Sequence, residues 1–349
     1  MSARSPWWPH ERVVVRHDPA SGLRAIVAVH STVLGPGLGG LRMRPYANMD
    51  AALDDVLRLS AAMTLKASAA GLDLGGGKAV ILDDGDLAGR AARLRAFGDL
   101  VASLGGGYIT AEDIGTTTAD LDVIATRTPY AVGLSPEHGG GGDPSPSTAA
   151  TVLGAIRHAA RARLEAPDLN GVMVGVLGLG KVGLDLAHRL KREGARLVLA
   201  DINSQHAARV ADELDAQVVD HEQLPTLELD VLAPCALGGL VTDELVPELR
   251  TAVIAGAANN VLADDELAER LAARDILFVP DFLANSGGLI HCSDELSVFD
   301  PDRVAQRVAA AVERVGRVLD DAVESGRTPL LVATQDARAR LDAATAAVA

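Results

Sequence analysis

At 349 residues the chain is long enough for two domains, each able to bury a core of its own. Its 48% hydrophobic and 23% charged residues make a globular composition and exclude a disordered one. A net charge of −15 without a basic run argues against nucleic acid and anionic membrane surfaces as partners, so any anionic substrate has to be met by a few placed cations.

The N-terminus, MSARSPWWPHERVVV, has no apolar stretch after its charges, and nothing in the chain approaches the roughly 18 apolar residues of a spanning helix. A soluble, cytoplasmic protein is expected. Cys235 and Cys292 are the only cysteines, too few for a disulfide framework, and the histidines never fall at metal-ligand spacing, so no metal site is expected.

In chain order, RAIVAVHS (24–31) alternates apolar and polar as a strand does, and LGPGLGGLR reads as a glycine-rich turn after it. The segment 49–70 spaces Leu53, Val56, Leu57, Ser60, Met63 and Ala67 at three and four residues, which predicts an amphipathic helix ended by Gly71. KAVILDD and YITAED read as strands on either side of a helix around 87–103. At 137–148, EHGGGGDPSPST concentrates glycine and proline and reads as a loop or hinge. From 172 onward strands alternate with helices, which implies a parallel sheet with right-handed crossovers whose ligands sit at the strands' carboxyl ends, where Cys235, Asn259, Asn260 and Asn285 fall. Two helical stretches close the chain.

Within that second part, Gly178-Leu179-Gly180-Lys181-Val182-Gly183 is a GxGxxG motif. It follows a buried strand, opens a helix and is answered by Asp201 at the end of the next strand, the context of a dinucleotide turn. Gly178 and Gly180 would let the backbone approach a pyrophosphate held by the helix N-terminus. Asp201 would accept from a ribose 2′-hydroxyl and repel a 2′-phosphate, which favours NAD over NADP.

All but four of the 32 basic residues are arginine, and the exceptions are Lys66, Lys78, Lys181 and Lys191. An ammonium can give up its proton where a guanidinium cannot. Lys66 shares a helix face with Met63, and Lys78 follows three glycines whose bare backbone would let a substrate lie close. Two lysines in one pocket would lower each other's pKa and make one a general base. Lys66 could equally snorkel from a helix end. Asp113, in TAEDIGTT, stands either in this site or as a helix cap acting through Thr116 or Thr117, and Glu112 should point to the other face of its strand. His138 and His291 read as structural.

The segments HSTVLGPGLGGLRMRPY, MTLKASAAGLDLGGGKAVI, YITAEDIGTTTADLD, GVLGLGKVG, VLAPCALGG, AGAANN and PDFLANSGGLI together resemble the glutamate/leucine/phenylalanine/valine dehydrogenase family, most of all its branched-chain members. The resemblance implies an α/β catalytic and oligomerisation domain over 1–140, a doubly wound Rossmann domain over 141–329, a cleft between them, and a C-terminal helix (330–349) packed back on the first domain. It implies NAD-dependent, reversible oxidative deamination of an aliphatic L-amino acid by a homo-oligomer, dimeric or octameric.

By the same resemblance, Lys66 and Asn259 hold the substrate carboxylate beside Gly39 and Gly40, Lys78 is the base, and Asp113 shuttles protons at the amine. Leu38, Met63, Ala111, Leu289 and Cys292 select the side chain. Thr148, Ala236 and Asn285 position the nicotinamide, and the glycine motif, Asp201, Ile202, Cys235, Ala257, Ala258 and Asn259 complete the NAD site. Cys292-Ser293 departs from the Val-Ala of branched-chain relatives and His291 is closer to phenylalanine dehydrogenase-like sequences, so an aromatic substrate stays open. So do a catalytically silent NAD-binding regulator and Schiff-base chemistry at Lys78.

Overall fold

The computed structural model describes residues 9–236 and 238–348; residues 1–8, with which the N-terminal segment begins, and Leu237, within VLAPCALGG, lie outside them. The fold is α/β and divides into two compact units, residues 1–143 with 291–301 and 337–349, and residues 144–290 with 302–336.

The first unit is built on strands β1 (Arg12–Asp18), β2 (Leu23–Ser31), β3 (Gly37–Arg44), β4 (Gly75–Leu82) and β5 (Tyr108–Glu112), in sheet order β1-β2-β4-β3-β5. β2 runs antiparallel to β1 and β4, while β3 lies parallel to β4 and β5. Helix α1 (Met49–Ala69) covers one face, with Val56 and Ala52 against Ile26 and Val80. Helices α2 (Arg90–Ser103) and α3 (Thr118–Ala125) cover the other, where Phe97 and Ile124 pack with Leu23, Leu41, Ile81 and Tyr108. β2 is therefore buried along most of its length on both faces.

Three expectations change here. LGPGLGGLR is not a turn alone: Gly37 to Arg44 form the strand between β4 and β5, because glycine is what so crowded a place admits. A Cβ on Gly39 would stand 1.7 Å from the Gly77 carbonyl oxygen. The buried stripe of α1 is Ala52, Val56, Leu59, Ser60, Thr64 and Ala67, with Leu53, Leu57 and Met63 only partly covered. Small residues line that stripe because the helix rides close over β4, where a Cβ on Gly76 would meet Thr64 at 2.2 Å.

The second unit contains α4 (Ser145–Leu164), β6 (Met173–Leu177), α5 (Lys181–Arg192), β7 (Arg196–Ala200), α6 (Ser204–Leu214), β8 (Gln217–Val218), β9 (Glu228–Pro234), β10 (Arg250–Ile254), α7 (Leu267–Ala272), β11 (Leu277–Phe278) and α8 (Asp281–Ala284). The third change is at α4, which starts at Ser145, inside the segment read as a loop; prolines at 144 and 146 fall where a helix start needs no amide donor. The six strands are all parallel in order β11-β10-β9-β6-β7-β8, the doubly wound arrangement, and its switch point lies between β6 and β9.

Helices α9 (Gly287–Asp294), α10 (Pro301–Ser325) and α11 (Pro329–Val348) complete the chain. Within the first unit, the end of α11 is fastened to the end of α1. The Ala337 carbonyl accepts from Ser68 Oγ, and Arg340 donates to the Leu72 carbonyl at 2.7 Å and pairs with Asp73 at 2.6 Å. Among the described residues no helix is long and apolar enough to cross a membrane.

Candidate active site

Along β4, Ala79 and Ile81 face α2 while Val80 faces α1, so alternation puts Lys78 on the α1 side. Its side chain is 8% exposed, and a buried ammonium is costly unless paired. The partner is Asp113, one residue past β5, whose Oδ2 lies 2.7 Å from Lys78 Nζ. The same oxygen accepts from Arg42 Nε at 3.0 Å, and Arg42 Nη1 reaches Asp55 of α1, also at 3.0 Å. Asp55 further accepts from Tyr46 and Arg58. Two carboxylates and two internal cations thus alternate from β4 across β3 to α1.

This arrangement sets the protonation states. Burial lowers the Lys78 pKa; Asp113 opposes the shift, and the nearby cation that adds to it is Arg42. Burial alone would raise Asp113, but Lys78 and Arg42 outweigh it and hold the carboxyl below its ordinary range. Arg42 was not picked out from the sequence; in the structure it is the one charged residue inside GLGGLRM, a run otherwise buried. Nor is Asp113 a helix cap: Thr117 caps α3, in a reciprocal box with Asp120, and Thr116 ties itself to the Asp113 backbone.

The other predicted residues of this unit fall around the same strands. Leu38, Gly39 and Gly40 are buried in β3, Ala111 is buried at the end of β5, and Met63 and Lys66 lie part-buried on α1. The space that a side chain on these glycines would need is taken by protein atoms. A Cβ on Gly77 would stand 2.5 Å from the Tyr108 ring, and one on Gly40 would meet Asp113 Cβ at 2.7 Å. Packing between layers by itself demands glycine in GGGK. Cys292, on α9, has its thiol pushed up to about 12, by burial first and then by Glu295 and Glu112, with Lys66 pulling the other way. Lys66 and Cys292 are therefore electrostatic neighbours. Glu112 is exposed and accepts from Thr118.

In the second unit the glycine motif occupies the switch point. Gly178 adopts φ +98°, a conformation glycine tolerates, and a Cβ there would meet Ala236 at 2.7 Å. On Gly183 a Cβ would stand 2.0 Å from the Gly178 carbonyl oxygen, so this glycine lets α5 close on the turn. A Cβ on Gly180, the α5 N-cap, would meet none of the described residues beyond its chain neighbours within 4 Å. Lys181 and Val182 share the first turn of α5 with Gly183, where amide groups have no intrahelical partner. Asp201 follows β7, and its Oδ2 accepts from the Leu179 amide at 2.7 Å. Ile202 beside it is 85% exposed.

The remaining residues gather at strand ends or helix starts. The Cys235 amide donates to the Leu177 carbonyl between the ends of β9 and β6, and burial pushes its thiol up to about 12; Ala236 follows, exposed. Past β10, Ala257 is part-buried, Ala258 buried and Asn259 exposed. Asn285 Nδ2 donates to Asn259 Oδ1 at 2.8 Å and to the Ala257 carbonyl at 3.1 Å, so one buried amide ties Ala257 to Asn259. Thr148 is in the first turn of α4, where its Oγ1 caps back to the Pro144 carbonyl. Leu289 is buried on α9, three residues before Cys292.

A parallel sheet of this order with a glycine turn at its switch point, joined in one chain to a unit that buries a paired lysine, defines a dehydrogenase-like architecture. Comparison with known proteins agrees. Residues 10–130 match the dimerisation domain of Glu/Leu/Phe/Val dehydrogenases, and residues 198–348 match the Glutamate/Leucine/Phenylalanine/Valine dehydrogenase domain. Leucine dehydrogenase of Geobacillus stearothermophilus is 40% identical over 96% of this chain and 91% of its own. Valine dehydrogenase of Streptomyces virginiae is 44% identical over 95% and 94%. The crystal structure of L-tryptophan dehydrogenase from Nostoc punctiforme superposes with a TM-score of 0.84 at 35% identity, covering 97% of each chain. The chain belongs to the Glu/Leu/Phe/Val dehydrogenase family of amino acid dehydrogenases.

Proposed function

We propose that the protein catalyses the reversible, NAD-dependent oxidative deamination of a branched-chain aliphatic L-amino acid to its 2-oxo acid and ammonium. The observation that carries this reading is the buried Lys78, paired at 2.7 Å with Asp113 and lowered in pKa by its burial. Such an amine can lose and regain a proton in turnover. Leucine and valine dehydrogenases among the relatives support the choice of substrate.

The residues take the following parts. Neutral Lys78 accepts a proton from the water that adds at the oxidised α-carbon, and Asp113 takes up and returns the proton of the departing amine. Lys66 and Asn259 bind the substrate carboxylate beside Gly39 and Gly40. Leu38, Met63, Ala111, Leu289 and Cys292 select the aliphatic side chain. The glycine turn fits a dinucleotide, since it is packed at Gly178 and Gly183 but bare at Gly180. Asp201 and Ile202 would meet the adenosine ribose, with Asp201 disfavouring a 2′-phosphate. Thr148, Cys235, Ala236, Ala257, Ala258 and Asn285 would hold the nicotinamide end. When bound, NAD accepts the hydride from the substrate α-carbon.

We further propose a cytoplasmic homo-oligomer assembled through the first unit, a dimer or an octamer, supported by the match of 10–130 to a dimerisation domain. The test is NADH consumption with ammonium and a panel of 2-oxo acids: 3-methyl-2-oxobutanoate, 4-methyl-2-oxopentanoate, phenylpyruvate, indole-3-pyruvate and 2-oxoglutarate. Highest kcat/KM with the first two is the expected result. An aromatic acid turned over best would favour the second reading, to which the tryptophan dehydrogenase likeness points. No turnover of any would contradict both.

A further inference from the structure

The glycine turn is tied to helix α6 by a closed circuit of hydrogen bonds. The Leu179 amide donates to Asp201 Oδ2 at 2.7 Å, and the Asn203 amide donates to Asp201 Oδ1 at 2.8 Å. Asn203 caps α6 by accepting, through Oδ1, from the His206 amide at 3.1 Å. The imidazole of His206 then returns to the start: its Nε2 lies 3.0 Å from the Leu179 carbonyl oxygen, a distance at which it must donate. Both backbone groups of Leu179 are thus held by side chains of the β7–α6 corner. Each Asp201 oxygen is engaged by one backbone amide, so each keeps capacity to accept from a ribose hydroxyl.

The consequence follows from peptide planarity. The Leu179 carbonyl and the Gly180 amide belong to one rigid trans unit and point to opposite sides of it. Fixing the carbonyl toward His206 fixes the Gly180 N–H in the reverse direction, at the turn position where a Cβ would meet none of the described residues beyond its chain neighbours. A rotating peptide would present a carbonyl oxygen to an incoming anion on some fraction of encounters; the circuit prevents this.

We propose that His206 is a positioning residue for the dinucleotide: it holds the Leu179–Gly180 peptide so that the Gly180 amide faces the pyrophosphate. The proposal rests on the assignment of this turn to NAD. Neither the GxGxxG spacing nor the acidic residue after β7 requires a histidine five positions beyond that acid, so the role belongs to this chain's own corner.

The test uses the full-length enzyme, with His206→Ala and with His206→Gln, whose amide can donate to the same carbonyl. NADH binding is read by fluorescence, steady-state constants with saturating amino acid, and thermal unfolding without dinucleotide. H206A should raise Kd for NADH and KM for NAD about tenfold, the order of one positioned hydrogen bond, with KM for the amino acid unchanged and H206Q restoring most of the loss. Wild-type affinity in H206A, equal weakening in both variants, or a fall in unfolding temperature as the only change would overturn it. Failure of the wild-type enzyme itself to bind NADH would instead strike the NAD assignment, so the two failures are distinguishable.

Discussion

Lys78 Nζ and Asp113 Oδ2 lie 2.7 Å apart, and the oxygen they share also takes Arg42 Nε at 3.0 Å. One carboxylate therefore serves two cations of different kinds. The guanidinium stays charged, while the ammonium, pressed by burial, is the member able to give up its proton.

The pH dependence of deamination follows from that pair. If neutral Lys78 is the base, kcat/KM rises with pH and levels off below the ordinary lysine range of about 10.4. Asp113 favours the charged amine, so Asp113→Asn should move the inflection to lower pH as well as slow turnover. The substrate's own amine titrates identically in both enzymes, and the difference between the two profiles isolates Lys78. An inflection unmoved in D113N would separate the base from Lys78.

Arg42 holds Asp113 and Asp55 together, and its removal leaves two part-buried carboxylates short of a partner. Arg42→Met should cost about 3 kcal/mol in denaturant unfolding, the order found when one member of a buried pair is deleted. Turnover should fall with it. Unchanged stability in R42M would show the network to be incidental.

Two glycines separate packing from cofactor binding. Gly39→Ala forces a Cβ to 1.7 Å from the Gly77 carbonyl and should destabilise the protein by about 3 kcal/mol. Gly180→Ala has φ −66° and an open surrounding, so it should leave the unfolding temperature unchanged while weakening NADH binding. Full NADH affinity in G180A would move the pyrophosphate away from this turn.

Acid should weaken the fold through its paired aspartates. Asp55, Asp113 and Asp120 are all held below their ordinary values, because their hydrogen bonds and cationic partners outweigh burial. A lowered carboxyl contributes stability that is complete above the unfolded value of about 3.9 and disappears as pH falls through the folded value. Asp120→Asn, which removes the charge facing Arg90 and alters the α3 capping box, should cost about 1 kcal/mol at pH 7 and progressively less as the pH falls below the unfolded value of about 3.9. A gap between D120N and the parent that widens in acid would contradict the sign.

Much of this was legible in the residues. The strand, glycine turn, helix and Asp201 of the second unit depend on local contacts, and the spacing of GLGKVG exposes them. The scarcity of lysine pointed to Lys78. What stayed hidden depends on neighbours remote in the chain. GLGG looks like a turn because its glycines are dictated by Gly77 and Glu112 of adjoining strands and by Asp113 just past one of them. Arg42 is one arginine among many until β3 brings it beside Asp113. His206 closes onto Leu179 across 27 residues, a match no periodicity announces.

The most direct measurement compares NADH formation from L-leucine and L-valine by the wild-type enzyme and Lys78→Ala, with NADH affinity determined for both. The account predicts a fall in kcat of about a thousandfold, within the range of a lost general base, with NADH still bound as tightly as by the parent. A K78A enzyme that deaminates at the parental rate would contradict it.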